Sequence, residues 1–132
     1  MDIKEFRVKH SELVEQYQFI EFHLEGLFAI MQNDGDDFIE LARRVENDAM
    51  GELIRKVRFL IKEKKHQNLL TKNDFANLDD IRDDRNFWCH SNFLELNKDP
   101  ELFSKHCSKI ENDLNKTIDM NNKLRDVFQE LM

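Results

Sequence analysis

The residues best suited to chemistry lie in one stretch, Asp79-Asp80-Ile81-Arg82-Asp83-Asp84-Arg85-Asn86-Phe87-Trp88-Cys89-His90, which is charged, aromatic and amide-rich at once. An Arg-Asn pair precedes a histidine there by five and four residues. On a helix Asn86 and His90 share a face, so the amide can hydrogen-bond the imidazole and set which ring nitrogen carries the proton. An imidazole with the ordinary pKa of about 6.5 moves protons at neutral pH, and a general acid or base of this kind contributes roughly 10²–10⁴ in rate. Arg85 cannot act that way, but its planar fork of donors suits a phosphate and the charge that develops on it. Arg85 stands about 140° around a straight helix from His90, so one helix does not bring both side chains onto one phosphate. The plain structural alternatives are a salt bridge from Arg85 to Asp84, Asp83 or Asp80, and a half-buried His90 beside Trp88.

Arg85-Asn86-Phe87-Trp88-Cys89-His90 resembles the motif of the HEPN family of small helical-bundle proteins. Ribonuclease members of that family carry an Arg, four to six residues and a His, commonly with a polar residue such as Asn directly after the Arg. The likeness covers this stretch alone, on the penultimate helix of a short chain. It implies a metal-independent RNA endonuclease, acting as a homodimer that faces two copies of the motif across a cleft, with Arg85, Asn86 and His90 as its catalytic residues. The RNA 2′-hydroxyl would attack the adjacent phosphate and leave a cyclic phosphate. No cofactor is implied; the setting implied is a toxin-antitoxin or phage-defence system, with an antitoxin as a partner. Many members paired with a nucleotidyltransferase antitoxin have a tyrosine two residues after the histidine; Asn92 stands there and Tyr17 is the sole tyrosine, so regulation by modification at that site is excluded. A family member with a purely binding role, a non-catalytic helical-bundle adaptor, is the alternative.

These residues need a frame, and composition narrows it. The chain has 132 residues, 27 acidic and 20 basic, a net charge of −7 and 40 % hydrophobic residues, which fits one small acidic domain spanning residues 1–132. It contains no apolar run of about 18 residues such as a membrane span needs. Met1-Asp2-Ile3-Lys4-Glu5 lacks the apolar core of a signal peptide, so a cytoplasmic location is expected, with no membrane partner. Two cysteines, Cys89 and Cys107, allow at most one bridge and are expected to stay reduced. Three glycines, one proline and the absence of apolar alternation predict an all-α fold.

Phe6, His10, Leu13, Tyr17, Ile20, Leu24, Leu27 and Met31 recur in steps of three and four, the seam of a long helix ending near Gln32. Phe103, Cys107, Ile110, Leu114, Thr117, Asn121, Leu124, Phe128 and Leu131 repeat that pattern behind Asp99-Pro100-Glu101, an N-cap followed by proline and an acid in the first turn. Between them, Asn33-Asp34-Gly35-Asp36 is a turn before a short helix from Asp37 to about Glu46. A further helix runs from about Ala49 to Lys65, with Met50, Leu53, Ile54, Val57, Leu60 and Ile61 on its apolar side. Thr71 to Asp74 caps another that reaches about Phe93. The expected architecture is an up-and-down helical bundle of about five helices with two long framing helices.

Charge is segregated along the chain. From Arg55 to Lys72 there are seven basic residues against one acid, Glu63, and Arg55, Arg58, Lys62 and Lys65 form one helical stripe. With Arg82 they are the candidate RNA-binding residues; the alternative is a solvated face. Acids gather at Asp34, Asp36, Asp37, Glu40, Glu46 and Asp48, and again at Asp74, Asp79, Asp80, Asp83 and Asp84 just before the motif. The second group would repel phosphate unless Arg82, Arg85 or a partner chain offsets it. No metal site is expected: adjacent helical residues such as Cys89-His90 and His106-Cys107 point about 100° apart. Glu63-Lys64-Lys65-His66 is the sole Glu-x-x-His unit, where a di-iron bundle needs two. His10 and His23 read as packing or surface residues, and Phe87, Trp88 and Phe93 as core or dimer-interface rings that have the shape to stack bases.

Overall fold

The computed structural model describes residues 1–32, 35, 37–90 and 98–132. Among these residues there are five α-helices and no strand: α1 (Ile3–Met31), α2 (Phe38–Val45), α3 (Met50–Glu63), α4 (Lys72–Cys89) and α5 (Pro100–Leu131). The long first and last helices frame an all-α bundle, as the seams predict. Phe93, expected at the end of α4, and Asn92, Asp34 and Asp36 lie outside the described residues.

Local chemistry starts four of the five helices; α3 begins after Ala49 with no side-chain cap. Asp2, Asp37, Thr71 and Asp99 are N-caps whose side chains accept from backbone N–H groups, which removes otherwise orphaned donors from the first turn. Thr71 and Asp74 form a reciprocal capping box, and Pro100 occupies the first turn of α5.

The C-terminus of α3 differs from expectation. The helix stops at Glu63 instead of reaching Lys65, and Lys65 takes a left-handed conformation with φ of 58°. The N–H of His66 reaches Ile61 O at 2.8 Å and that of Lys65 reaches Lys62 O at 3.2 Å, a Schellman closure with lysine where glycine is usual. Composition hides this ending, because no glycine marks it.

Helix directions follow from which residues meet. Phe6 packs on Phe103 at 5.6 Å between ring centroids, and Gly26 lies against the Phe128 ring, so α1 and α5 run parallel. Gly51 faces Arg82 while Arg58 reaches Asp79, so α3 and α4 are antiparallel. Trp88 meets His106 while Asp84 meets Lys116, so α4 and α5 are antiparallel as well. α2 packs against α1 and sets Phe38 on Phe128. An up-and-down bundle with an odd number of helices must close first on last in parallel, and α1 and α5 form the most extensive helix contact.

The core follows most of the seams read from spacing, but in α5 Phe103, Cys107, Phe128 and Leu131 are only partly buried, while Met120 and Val127, outside the predicted seam, are buried. Phe6, Leu13, Tyr17, Ile20, Leu24, Leu27 and Met31 are buried in α1, and so are the six residues read as the apolar side of α3, whereas Phe59 of that helix is exposed. Burying each such aliphatic or aromatic side chain contributes about 1.5–3 kcal/mol against the entropy of ordering the chain. α5 adds three buried polar residues, Asp113, Thr117 and Asn121. Thr117 bonds back to its own helix, while Asn121 donates to Gln16 O and Oε1 and meets His23 Nδ1 at 2.9 Å, tying α5 to α1.

Candidate functional site

The last turn of α4 is anchored from below by Trp88. Its indole is 3 % exposed and packs among Phe6, His10, Phe87 and His106, with centroids 4.9–6.1 Å away. The indole N–H donates to Asp113 Oδ2 at 2.9 Å, and Asp113 is itself 2 % exposed. Lys109 then joins two carboxylates, Asp113 at 2.9 Å and Asp84 at 3.0 Å, and Lys116 makes a second contact to Asp84 at 3.1 Å. The Lys109 ammonium also lies 4.8 Å from the Phe87 centroid. Burial pulls the Lys109 pKa down, but the bonds to Asp113 and Asp84 outweigh it and the net shift is upward. Tyr17 lies within reach of these charges. Burial first, then Asp113 and Asp84, drives its phenol far upward, and its hydroxyl is buried with no hydrogen-bond partner among the described residues.

The three motif residues sit around this anchor in different settings. Asn86 is exposed. Arg85 leans toward α1 and meets Glu21 Oε1 at 3.2 Å, not Asp84, Asp83 or Asp80. Neighbouring helical residues point about 100° apart, which sends Asp84 to α5 while Arg85 turns to α1. His90 is the exposed C-cap of α4, not a half-buried helix residue, and its backbone N–H bonds to Phe87 O at 3.2 Å in a tightened last turn. Among the described residues the Asn86 amide makes no hydrogen bond to His90, because the regular helical register that would align them ends one residue earlier. Among the described residues Arg85 is engaged with Glu21 of α1, and no contact joins it to His90.

The acids before the motif are largely matched. Arg58 bonds Asp79 at 2.8 Å, Arg82 bonds Asp83 at 3.3 Å, Lys109 and Lys116 hold Asp84, and Asp74 serves the capping box. Asp80 alone has no ionic partner among the described residues. Of the offsets expected from the sequence, Arg82 supplies one; the rest come from α3 and α5.

The basic face is more mixed than its sequence pattern. Arg55 bonds Glu52 at 2.8 Å and Arg58 is taken by Asp79. Lys62 has no ion pair among the described residues, and Lys65 has left the helical stripe at the left-handed turn. Arg82 lies across the start of α3, where a Cβ on Gly51 would come within 3.2 Å of its Cδ, so the glycine makes room for it. Exposed pairs of this kind contribute about 0–1 kcal/mol and exchange readily for a phosphate.

Among the described residues no group of three or more His, Cys, Asp or Glu side chains is placed to hold a metal ion. Both thiols are free, Cys89 exposed and Cys107 partly buried, with burial raising the pKa of Cys107. Burial lowers the pKa of His10, consistent with its place against Trp88. No helix among the described residues is long and apolar enough to cross a membrane.

Sequence reasoning passed over Asp113, Lys109, Lys116 and Glu21. One signal was available: Asp113 falls three residues after Ile110, inside the apolar seam, and a buried tryptophan needs an acceptor for its N–H. Glu21 carried no such mark, because its partner comes from a helix more than sixty residues away in the chain. A scan against protein-family models and searches of curated proteins and of solved structures find no match to this chain.

Proposed function

We propose that this chain is a metal-independent RNA endonuclease of the HEPN type, working as a homodimer in which two copies of the α4 end face one RNA strand. The observation that carries the reading is the exposed pair Asn86 and His90 on a turn locked from beneath by the Trp88–Asp113–Lys109 chain. A solvent-facing imidazole carried on an anchored turn is open to substrate, as general acid-base work needs. His90 takes the proton of the RNA 2′-hydroxyl as that oxygen attacks phosphorus. The bond to the 5′ oxygen breaks, leaving a cyclic phosphate, and the second copy's histidine returns a proton to the departing oxygen. Arg85 exchanges Glu21 for the phosphate and stabilises the charge that develops there. Asn86 orients the imidazole or the scissile phosphate. Arg55, Arg58, Lys62, Lys65 and Arg82 guide the RNA backbone along α3 and α4. The toxin or phage-defence setting, the antitoxin partner and the cytoplasmic location rest on the family resemblance and the sequence.

The test is purified protein with unstructured RNA, with and without EDTA, beside Arg85→Ala and His90→Ala. Cleavage that survives EDTA and falls at least a hundredfold in both variants supports the proposal; equal background in all three proteins refutes it. The ion pair of Arg85 with Glu21 favours a second reading, a non-catalytic adaptor in which that arginine is structural. Under it RNA is left intact and Arg85→Ala changes stability only.

A further inference from the structure

We infer that the cavity between the end of α3 and the start of α4 binds a nucleotide, holding one unpaired base with its phosphate. In its RNA form the inference rests on the proposed function; a free mononucleotide would use the same chemistry. The cavity has a volume of about 560 Å³, within the range of small-molecule sites. Its floor is apolar, from Ile61, Leu70, Phe75 and Ala76, and Lys62, Lys72 and Arg58 stand around it. The one carboxylate in its lining, Asp79, is already bonded to Arg58.

Arg58 decides the shape of the ligand. Its guanidinium lies 5.1 Å from the Phe75 centroid and is fixed by Asp79 Oδ2 at 2.8 Å and Phe75 O at 3.4 Å. One face of the planar cation is spent on Phe75, and the side chain is still 48 % exposed. That is a pre-ordered flat platform, and guanidinium planes are surfaces on which bases stack. A simple anion would use the lysines and waste the apolar floor. A purely apolar ligand would leave the cations unmatched. A flat apolar ring carrying a phosphate uses both, and Gln67 adds an amide within the lining for a base edge.

The cavity is also placed for the motif. Arg58 and Asp79 line a second hollow with Ile54, Gly51 and Arg82, so the furrow continues along the α3–α4 seam. Asp79 and Asn86 are seven residues apart, nearly two full turns, so the furrow and Asn86 share one face of α4. The path from Ala76 to His90 along the helix is about 21 Å.

The test is calorimetric titration of the His90→Ala protein, which separates binding from cleavage, with 5′-AMP, with inorganic phosphate and with a short single-stranded RNA. The variants are Arg58→Lys, which keeps the charge and loses the plane, and Ala76→Leu, which fills the cavity from an exposed position; circular dichroism checks that each folds. Saturable 5′-AMP binding at least tenfold tighter than phosphate, and weakened about tenfold or more in both variants, is expected. RNA weakened in step with 5′-AMP assigns the site to RNA; RNA that fails to compete with 5′-AMP assigns it to a free nucleotide. Phosphate matching 5′-AMP, no saturable 5′-AMP binding, or indifference to both substitutions overturns the inference. Intact 5′-AMP binding with no RNA cleavage by the unsubstituted chain leaves the pocket standing and removes the nuclease reading.

Discussion

Removing the Asp113 carboxylate tests whether the last turn of α4 is held as described. Asp113→Ala leaves the Trp88 N–H without its acceptor at a site 3 % exposed, and an unsatisfied buried donor costs about 1–3 kcal/mol. It also removes one of two carboxylates from Lys109. That ammonium is 31 % exposed and keeps Asp84 at 3.0 Å, so this part adds about 1 kcal/mol, well below the cost of stranding a fully buried charge. The expected loss is about 2–4 kcal/mol, which for a chain of this size lowers the melting temperature by roughly 8–16 °C. Asp113→Asn keeps an acceptor for the indole and gives up only the charge, so it loses about half as much. Urea unfolding followed by the single tryptophan measures both, and the same emission reports the surroundings of Trp88. A double-mutant cycle with Trp88→Phe should give a coupling of about 1–2 kcal/mol. A loss under about 0.5 kcal/mol for Asp113→Ala, with unchanged tryptophan emission, would refute the claim that this carboxylate anchors the motif.

Glu21→Gln frees Arg85 from its ion pair; stability should change by less than about 1 kcal/mol, while RNA affinity in filter binding rises, and a fall in affinity would argue that Glu21 positions Arg85 for RNA. Tyr17→Phe removes a buried hydroxyl that has no partner among the described residues, so urea unfolding at neutral pH should show no loss or a gain of about 1 kcal/mol; a loss above that would reveal a partner for the hydroxyl. Both Tyr17 and Lys109 have folded pKa values raised above their ordinary 10.0 and 10.5, so the stability they carry is complete below those values and is lost as pH rises past them. Alkaline unfolding should therefore set in above about pH 10 and be blunted in Tyr17→Phe, as read by ellipticity against pH. Lys65→Gly relieves the left-handed strain at φ of 58° and should stabilise by about 0.5–1 kcal/mol; a destabilised variant would show that the lysine side chain contributes more than its backbone costs.

Spacing was enough to read the elements and their buried faces because a helix converts sequence distance directly into direction. The seam of α1 and the apolar side of α3 were legible residue by residue, as were the caps at Asp37, Thr71 and Asp99. Where a helix ends without its usual glycine, as at Lys65, the cue was missing and the predicted stripe ran one residue too far. The site was only half visible. The Arg85-Asn86-His90 pattern is local and can be read, but the exposure of His90 depends on α4 ending at Cys89.

The sequence by itself determined an all-α chain, most of its capped starts and core positions, and the segregation of its charges, since each of these depends on residues within a few turns of one another. Tertiary structure decided which charges meet. Arg85 found Glu21, Trp88 found Asp113 and Arg58 found Asp79 across 64, 25 and 21 positions of chain, and helical periodicity carries no information on pairs so far apart. Packing α4 against α1, α3 and α5 set those partners. It also turned five aspartates that looked like a barrier to RNA into four that are paired or capping and one, Asp80, that has no ionic partner among the described residues.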